Sequence, residues 1–300
     1  MTEDAIRCGF VALVGAPNAG KSTLINRLVG TKVSIVTPKA QTTRARVLGI
    51  VMRGVSQLIF MDTPGIHSPR RGLERAMVES AWRGVADTDH IALLIDASSI
   101  RKPDVYAIIK QLDELGHKAI LVLNKIDLVP RSALLELSAE FNSTGIFIET
   151  FMISGLTGDG VEDLLNFLAG HASEGPWLFP EDQISDMPQR LMAAEITREK
   201  LFLQLHQELP YSLTVETEGW EDRRDGSVKI DQVIYVRRDS QKAIVLGHGG
   251  SRVKSVGQAA RLELVTMLDR RVHLFLFVKV REKWVDDRER FEPWGLRHDA

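Results

Sequence analysis

Between an apolar run, Phe10–Val14, and an amphipathic stretch, Ser22–Val29, the chain reads Gly15-Ala16-Pro17-Asn18-Ala19-Gly20-Lys21-Ser22, followed by Thr23. This is G-x-x-x-x-G-K-[ST] in the strand–loop–helix setting that gives the pattern its meaning. Glycines let backbone N–H groups wrap phosphates at a helix N-terminus, where the dipole favours anions. The spacing makes Lys21 the ligand of the β- and γ-phosphates and the Ser22 hydroxyl a holder of Mg²⁺. A loop of this kind needs a strand behind it and a helix ahead of it, which commits the first part of the chain to an α/β fold.

The rest of that region agrees. Further apolar runs, Leu58–Met61, Ile91–Ile95, Ala119–Leu123 and Phe147–Ile153, alternate with helical candidates Glu74–Val85, Val105–Leu115 and Gly160–Ala169. Nearly continuous Val, Ile, Leu and Phe marks strands covered on both faces, so a mainly parallel sheet with helices on both faces is expected. Two of these strands end in chemistry. The run Leu58–Met61 leads into Asp62-Thr63-Pro64-Gly65, where Asp62 can hold the metal and the Gly65 N–H can sense the γ-phosphate. The run Ala119–Leu123 leads into Asn124-Lys125-Ile126-Asp127. The Asp127 carboxylate can accept both N1–H and the exocyclic amine of guanine, which adenine does not match. Asn124 would brace neighbouring loops or contact N7, and the Lys125 stem would pack along the ring. A P-loop ATPase is the reading these four residues argue against.

With three motifs in order, the region resembles the Ras-like GTPase class. That resemblance implies that Ser154-Gly155-Leu156 is the loop contacting the guanine oxygen, with Gly155 in place of the usual Ala. It implies a first switch at Ala40-Gln41-Thr42-Thr43-Arg44, with Thr42 or Thr43 closing on Mg²⁺. Lys21, Thr42, Thr43, Asp62 and Gly65 would then carry hydrolysis by in-line attack of water. Ile66 stands where that class carries a water-orienting Gln, and intrinsic turnover near ~10⁻⁴ s⁻¹ is expected. Asn18 resembles an asparagine that holds K⁺ in some relatives, so K⁺ is a candidate activator.

A second domain follows. Glu174–Pro180 holds two prolines and a glycine in seven residues, which places a linker at 174–188 between a domain at 1–173 and another at 189–300. The order after Pro188 reads α-β-β-α-α-β: helix Gln189–Glu208, strands Ser212–Glu218 and Val228–Arg237, a glycine-rich corner, helix Val253–Leu268 and strand Val272–Val280. The corner contains Gly247-His248-Gly249-Gly250. This arrangement resembles the KH type II fold, an α+β module whose GxxG loop clamps single-stranded RNA. From Arg237 to Lys283 eleven basic side chains stand against four acidic ones, a net +7 in a chain of net −2. Lys242, Arg252 and Lys254 join the loop as expected RNA contacts.

Taken from about Ile6 to Phe291, the chain resembles the Era family of bacterial GTPases. The matching segments are Lys39-Ala40-Gln41-Thr42-Thr43-Arg44, Phe179-Pro180-Glu181-Asp182, Glu208-Leu209-Pro210-Tyr211-Ser212 and Arg238-Asp239-Ser240-Gln241-Lys242. The resemblance implies binding to the 3′ end of 16S rRNA and to the 30S subunit, a role in its assembly and maturation, and peripheral contact with the inner membrane. It also implies a Lys at the position of Gly249, and its absence removes one phosphate contact. A protein-effector switch is the competing reading of the second domain. The single Cys8 excludes a disulfide framework and fits a reducing compartment. No apolar run reaches the ~18 residues of a membrane span. A cytoplasmic monomer is the expectation.

Overall fold

The computed structural model describes residues 5–39, 42–44, 46–67, 72–100, 102–205 and 209–282. Ala40 and Gln41 of the first-switch motif, Glu208, and the expected second domain from Lys283 onward lie outside them. Among the described residues two compact units result, one within 5–34 and 43–186 and the other of 35–39, 42 and those within 187–282.

In the first unit the elements run β1 (Arg7–Val14), α1 (Lys21–Val29), β2 (Val47–Arg53), β3 (Ser56–Asp62), α2 (Gly72–Ala86), β4 (His90–Asp96), α3 (Lys102–Glu114), β5 (Ala119–Asn124), α4 (Arg131–Asn142), β6 (Phe147–Ile153), α5 (Val161–His171) and β7 (Ser173–Glu174). The sheet order is β2-β3-β1-β4-β5-β6, with β7 added beside β1. Pairing is parallel except for β2 on β3 and β7 on β1. The five expected strands are present. Strand β2 and helix α4 were not anticipated. Every residue of β3 and β5 is buried, as the unbroken apolar runs required. Ala12, Val14, Leu93, Ile95, Leu121 and Leu123 form one core with Ala81, Val85, Ile108, Leu112 and Phe141 from α2, α3 and α4. Helix α1 lies against β2 so closely that a Cβ on Gly49 would meet Ile25 Cγ1 at 2.7 Å.

The stretch expected as a linker is hydrogen bonded along this unit. Gln57 Oε1 accepts from the Leu178 and Phe179 N–H groups, Ile50 N–H donates to Ile184 O, and Leu48 N–H donates to the Asp186 carboxylate. The bonds of Ile50 and Leu48 cover the outer edge of β2, which would otherwise carry unpaired backbone groups.

The second unit contains α6 (Gln189–Gln204), β8 (Leu213–Asp222), β9 (Val228–Val236), α7 (Asp239–Leu246), α8 (Ser251–Leu268) and β10 (Val272–Val280). Its sheet is ordered β10-β9-β8, antiparallel between β8 and β9 and parallel between β9 and β10. This is the α-β-β-α-α-β order read from the sequence, with α6 ending four residues earlier than expected. Two apolar clusters join α6 and α8 to the sheet. Gly257 lets α8 approach β10, since a Cβ there would stand 3.3 Å from Leu276 Cδ1. Residues 35–42 also belong to this unit. Val36 N–H donates to Glu199 Oε1 at 2.9 Å, the Lys39 ammonium donates to the carbonyls of Phe202 and Leu205, and the buried Arg198 guanidinium donates to Thr42 O. The switch-loop sequence, read as part of a domain at 1–173, therefore contributes to both units. Among the described residues no helix is long and apolar enough to cross a membrane.

Candidate functional site

The loops that carry the motifs leave the C-terminal ends of β1, β3, β5 and β6, where open α/β sheets hold their ligands. Gly20 is the cap of α1 with φ 96°, and a Cβ there would lie 2.2 Å from Asn124 Nδ2, so only glycine allows the phosphate loop and the Asn124 loop to meet. Lys21 is buried and folds back on the loop, with Nζ 3.0 Å from Gly15 O and 3.1 Å from Ala16 O. Burial pushes its ammonium down to about 8 against the pull of Asp62. Asn18 is exposed at φ 65°, a left-handed conformation that asparagine tolerates. Ala19 is buried under the loop, while Ala16, Pro17 and Thr23 are partly exposed.

Asp62 is the centre of the site. It is fully buried at the end of β3, and its Oδ2 accepts hydroxyls from Ser22 at 2.7 Å, Ser34 at 2.7 Å and Thr43 at 3.2 Å. Its Oδ1 is buried without a partner. Burial raises the carboxyl, opposed by Lys21 and by the three hydroxyls. An unpartnered carboxylate oxygen beside the Ser22 and Thr43 hydroxyls, 2.9 Å apart, fits a small hard cation that takes oxygen ligands. Thr42 does not share this position: its Oγ1 lies 2.6 Å from Thr37 Oγ1 and 2.7 Å from Lys39 O. Of the two threonines, Thr43 is the one whose hydroxyl lies at the Asp62 carboxylate. Thr63 is buried and donates to Leu13 O at 2.8 Å, and Pro64 is buried beside it. Gly65 packs on the phosphate loop, where a Cβ would be 2.8 Å from Pro17 Cα. Ile66 N–H donates to Gly15 O, and its side chain sits in the apolar core with Ala12 and Val14.

On the far side, Asn124 braces three segments. Its Nδ2 donates to Ala19 O at 2.8 Å, and its Oδ1 accepts from the N–H groups of Lys125 at 2.8 Å and Gly155 at 2.9 Å. In this arrangement Asn124 braces the phosphate loop and the loop at 154–155. The Lys125 ammonium is held 2.6 Å from Asp96 Oδ2, and Asp127 is exposed. Ser154 is buried and takes the Thr157 N–H on its hydroxyl at 3.1 Å, whereas Leu156 is exposed. Arg27 of α1 donates to the carbonyls of Gly155 and Leu156. Sequence reading missed Arg27, Ser34 and Asp96, which lie in no motif and meet the site only through folding.

In the second unit Gly247, His248, Gly249 and Gly250 form the turn between α7 and α8. Gly249 has φ 58° and Gly250 φ 78°, and a Cβ on either would point into open space. Gln241 Oε1 accepts the N–H groups of Arg237 and Arg238, fixing the start of α7. Lys254 and His248 are exposed and Lys242 partly so. Arg252 is partly exposed, and its Nη1 donates to Ile244 O at 2.7 Å at the last turn of α7. Some of the positive charge is also paired, Arg270 with Asp222 and Lys279 with Glu218.

Fold and site together define a P-loop GTPase joined to a KH module. Comparison with known proteins agrees: the family described as "50S ribosome-binding GTPase" matches residues 10–125 and the KH domain family matches residues 208–285. GTPase Era of Rhizobium meliloti (strain 1021) is 61% identical over 290 residues, covering 97% of this chain and 93% of that protein. GTPase Era of Dinoroseobacter shibae is 56% identical over 301 residues, covering 99% and 98%. A crystal structure of Era in complex with MgGDPNP and nucleotides 1506–1542 of 16S ribosomal RNA superposes with a TM-score of 0.92 at 39% identity, covering 97% of this chain and 99% of that one. A point variant of Aquifex aeolicus Era bound to GDP.AlF4⁻ gives 0.91 at 39% identity, with the same coverage. This chain belongs to the Era family of GTPases.

Proposed function

We propose that this GTPase uses GTP and Mg²⁺ to control binding of its KH module to the 3′ end of 16S rRNA during 30S subunit assembly and maturation. The observation that carries the reading is the Asp62 cluster, in which the phosphate-loop Ser22, the switch Thr43 and the carboxylate meet in one buried place. Among the described residues no three His, Cys, Asp or Glu side chains cluster as a metal cage. A single carboxylate with hydroxyls suits Mg²⁺, which relies on substrate phosphates for much of its coordination.

In this reading residues 15–23 bind the phosphates, with Lys21 the charge nearest the β- and γ-groups. Ser22, Asp62 and Thr43 would hold Mg²⁺, which would offset the negative charge of the phosphates. Thr63, Pro64 and Gly65 place the γ-phosphate sensor. Asp127 reads guanine, Lys125 covers the ring, and Ser154-Gly155-Leu156 closes over the base. The chain's contribution to hydrolysis is positioning and charge stabilisation, with no covalent step. Ile66 offers no hydrogen bond to a water, so turnover is slow. Asn18 is the candidate K⁺ ligand, and equal turnover in K⁺ and Na⁺ buffers would remove that role. Gly247, His248, Gly249, Gly250, Lys242, Arg252 and Lys254 form the RNA surface. The functional division is a GTPase domain at 1–173, a connecting strap at 174–188 and a KH domain at 189–300. The protein acts as a cytoplasmic monomer on the 30S subunit, with peripheral contact at the inner membrane.

The test is the affinity for a short RNA copying the 3′ end of 16S rRNA, measured at one salt concentration with a non-hydrolysable GTP analogue and with GDP. Tighter binding in the triphosphate state is expected. Absence of RNA binding in both states would leave a GTPase whose partner is a protein.

A further inference from the structure

Of the three hydroxyls on Asp62 Oδ2, two come from segments already assigned to nucleotide chemistry. The third, Ser34, comes from neither the phosphate loop nor the first-switch motif. It is 2% exposed, and its hydroxyl lies 2.7 Å from the carboxylate. Its backbone is fixed by a single side chain: Asn26 Oδ1 accepts the N–H groups of Val33 at 2.8 Å and Ser34 at 2.9 Å, and Asn26 Nδ2 donates to Ser34 O at 2.7 Å. Asn26 stands four residues after Ser22 on α1, so one face of the helix carries both the hydroxyl expected at the metal and the clamp on Ser34. With Oδ2 saturated by three donors, Oδ1 is left as the buried acceptor without a partner.

We propose that Ser34, fixed by Asn26, is a positioning residue for the divalent cation: it holds the Asp62 carboxylate so that its unpartnered oxygen is presented to the metal. The proposal rests on reading the pocket as a Mg²⁺–nucleotide site. A carboxylate held only by Ser22 and Thr43 would lose its orientation whenever those hydroxyls turn to the cation. Ser34 is the donor that stays, because its own backbone is clamped. Partners of this kind behind a metal ligand change metal affinity by about 10–100-fold when removed.

The experiment uses the full chain loaded with a fluorescent GDP and follows nucleotide release against free Mg²⁺. Ser34→Ala is expected to raise the Mg²⁺ concentration for half-maximal retention by about tenfold or more, while release in excess chelator stays unchanged. Asn26→Ala should shift the same midpoint in the same direction by a smaller factor, and the double variant should be no worse than Ser34→Ala, because both act through one contact. A midpoint for Ser34→Ala within about twofold of the parent would overturn the proposal, as would equal acceleration with and without Mg²⁺, which marks a loosened pocket. If Ser34→Ala does not fold, an unshifted midpoint in Asn26→Ala overturns it. Asp62→Asn tells the two possible failures apart: if it too leaves the Mg²⁺ dependence intact, the reading of the pocket fails, whereas a shift there without one in Ser34→Ala sinks only the role of Ser34.

Discussion

Lys21 shows how a residue found by motif acquires its behaviour from burial. Its ammonium falls from an ordinary 10.5 to about 8 because it is removed from water. Between those values the unfolded chain holds the extra proton, so the nucleotide-free protein should gain stability as pH rises from about 8 to 10.5. Phosphates favour the charged form, so GDP binding should take up a proton above about pH 8, with affinity falling by up to about tenfold per pH unit. Calorimetry in buffers of different ionisation enthalpy measures that uptake, and a pH-independent affinity from about 7 to 9 would contradict it. Ile66 makes a second case. Because its side chain is 7% exposed in the core, Ile66→Gln should not restore water positioning. It should instead lower stability by about 2–4 kcal/mol through a buried amide and lost packing. Faster single-turnover hydrolysis with an unchanged melting temperature would show that the side chain faces the nucleotide after all. At the guanine loop, Arg27→Ala removes the donors to the Gly155 and Leu156 carbonyls and should speed GDP release by about 3–10-fold, discounted for the exposure of Arg27. Stopped-flow release at fixed Mg²⁺ checks this.

Among the elements, the α7–α8 turn is where sequence and conformation interact most directly. Gly249 sits in the left-handed region with open space at its Cβ, so a longer residue costs backbone strain of about 1 kcal/mol and no collision. Gly249→Lys should therefore fold, bind single-stranded RNA more tightly at low salt, and steepen the dependence of log affinity on log salt by about 0.7 for one added phosphate contact. An unchanged slope would place the RNA elsewhere. The expected linker behaves differently from its composition. Pro and Gly forbid a helix there, as the sequence indicated, but nothing in it foretold that Gln57, in the interior of β3, would take its N–H groups. Strand β2 was equally hidden, because its pairing with β3 depends on a turn and on a helix close enough to require Gly49.

For the whole molecule, the consequential feature is the path of residues 35–42. Ser34 and Thr43, at its two ends, reach Asp62, while Val36, Lys39 and Thr42 are hydrogen bonded to α6 and the residue that follows it. Thr42 and Thr43 are covalent neighbours in different units, so the chain itself connects the Asp62 cluster to the segment bonded to α6. Lys39→Ala breaks the bonds to the Phe202 and Leu205 carbonyls and should bring the ratio of RNA affinities in the GTP-analogue and GDP states toward one, leaving hydrolysis of free GTP within about threefold. A preserved ratio would show that coupling takes another route.

The phosphate loop, the strand end at Asn124 and the α-β-β-α-α-β order were legible because each depends on residues close in sequence, where spacing and periodicity carry the information. Sequence alone assigned Lys21, Ser22, Asp62, Asn124 and Asp127 to a nucleotide site and the glycines at 247–250 to a turn. It could not choose between Thr42 and Thr43, since neighbours in the chain are chemically equivalent until a fold points one at Asp62 and the other at Thr37. Nor could it find Ser34, Arg27 or the anchoring of 35–42 on α6. Those rest on hydrogen bonds between residues 28 to 166 positions apart, which only the tertiary structure brings within reach.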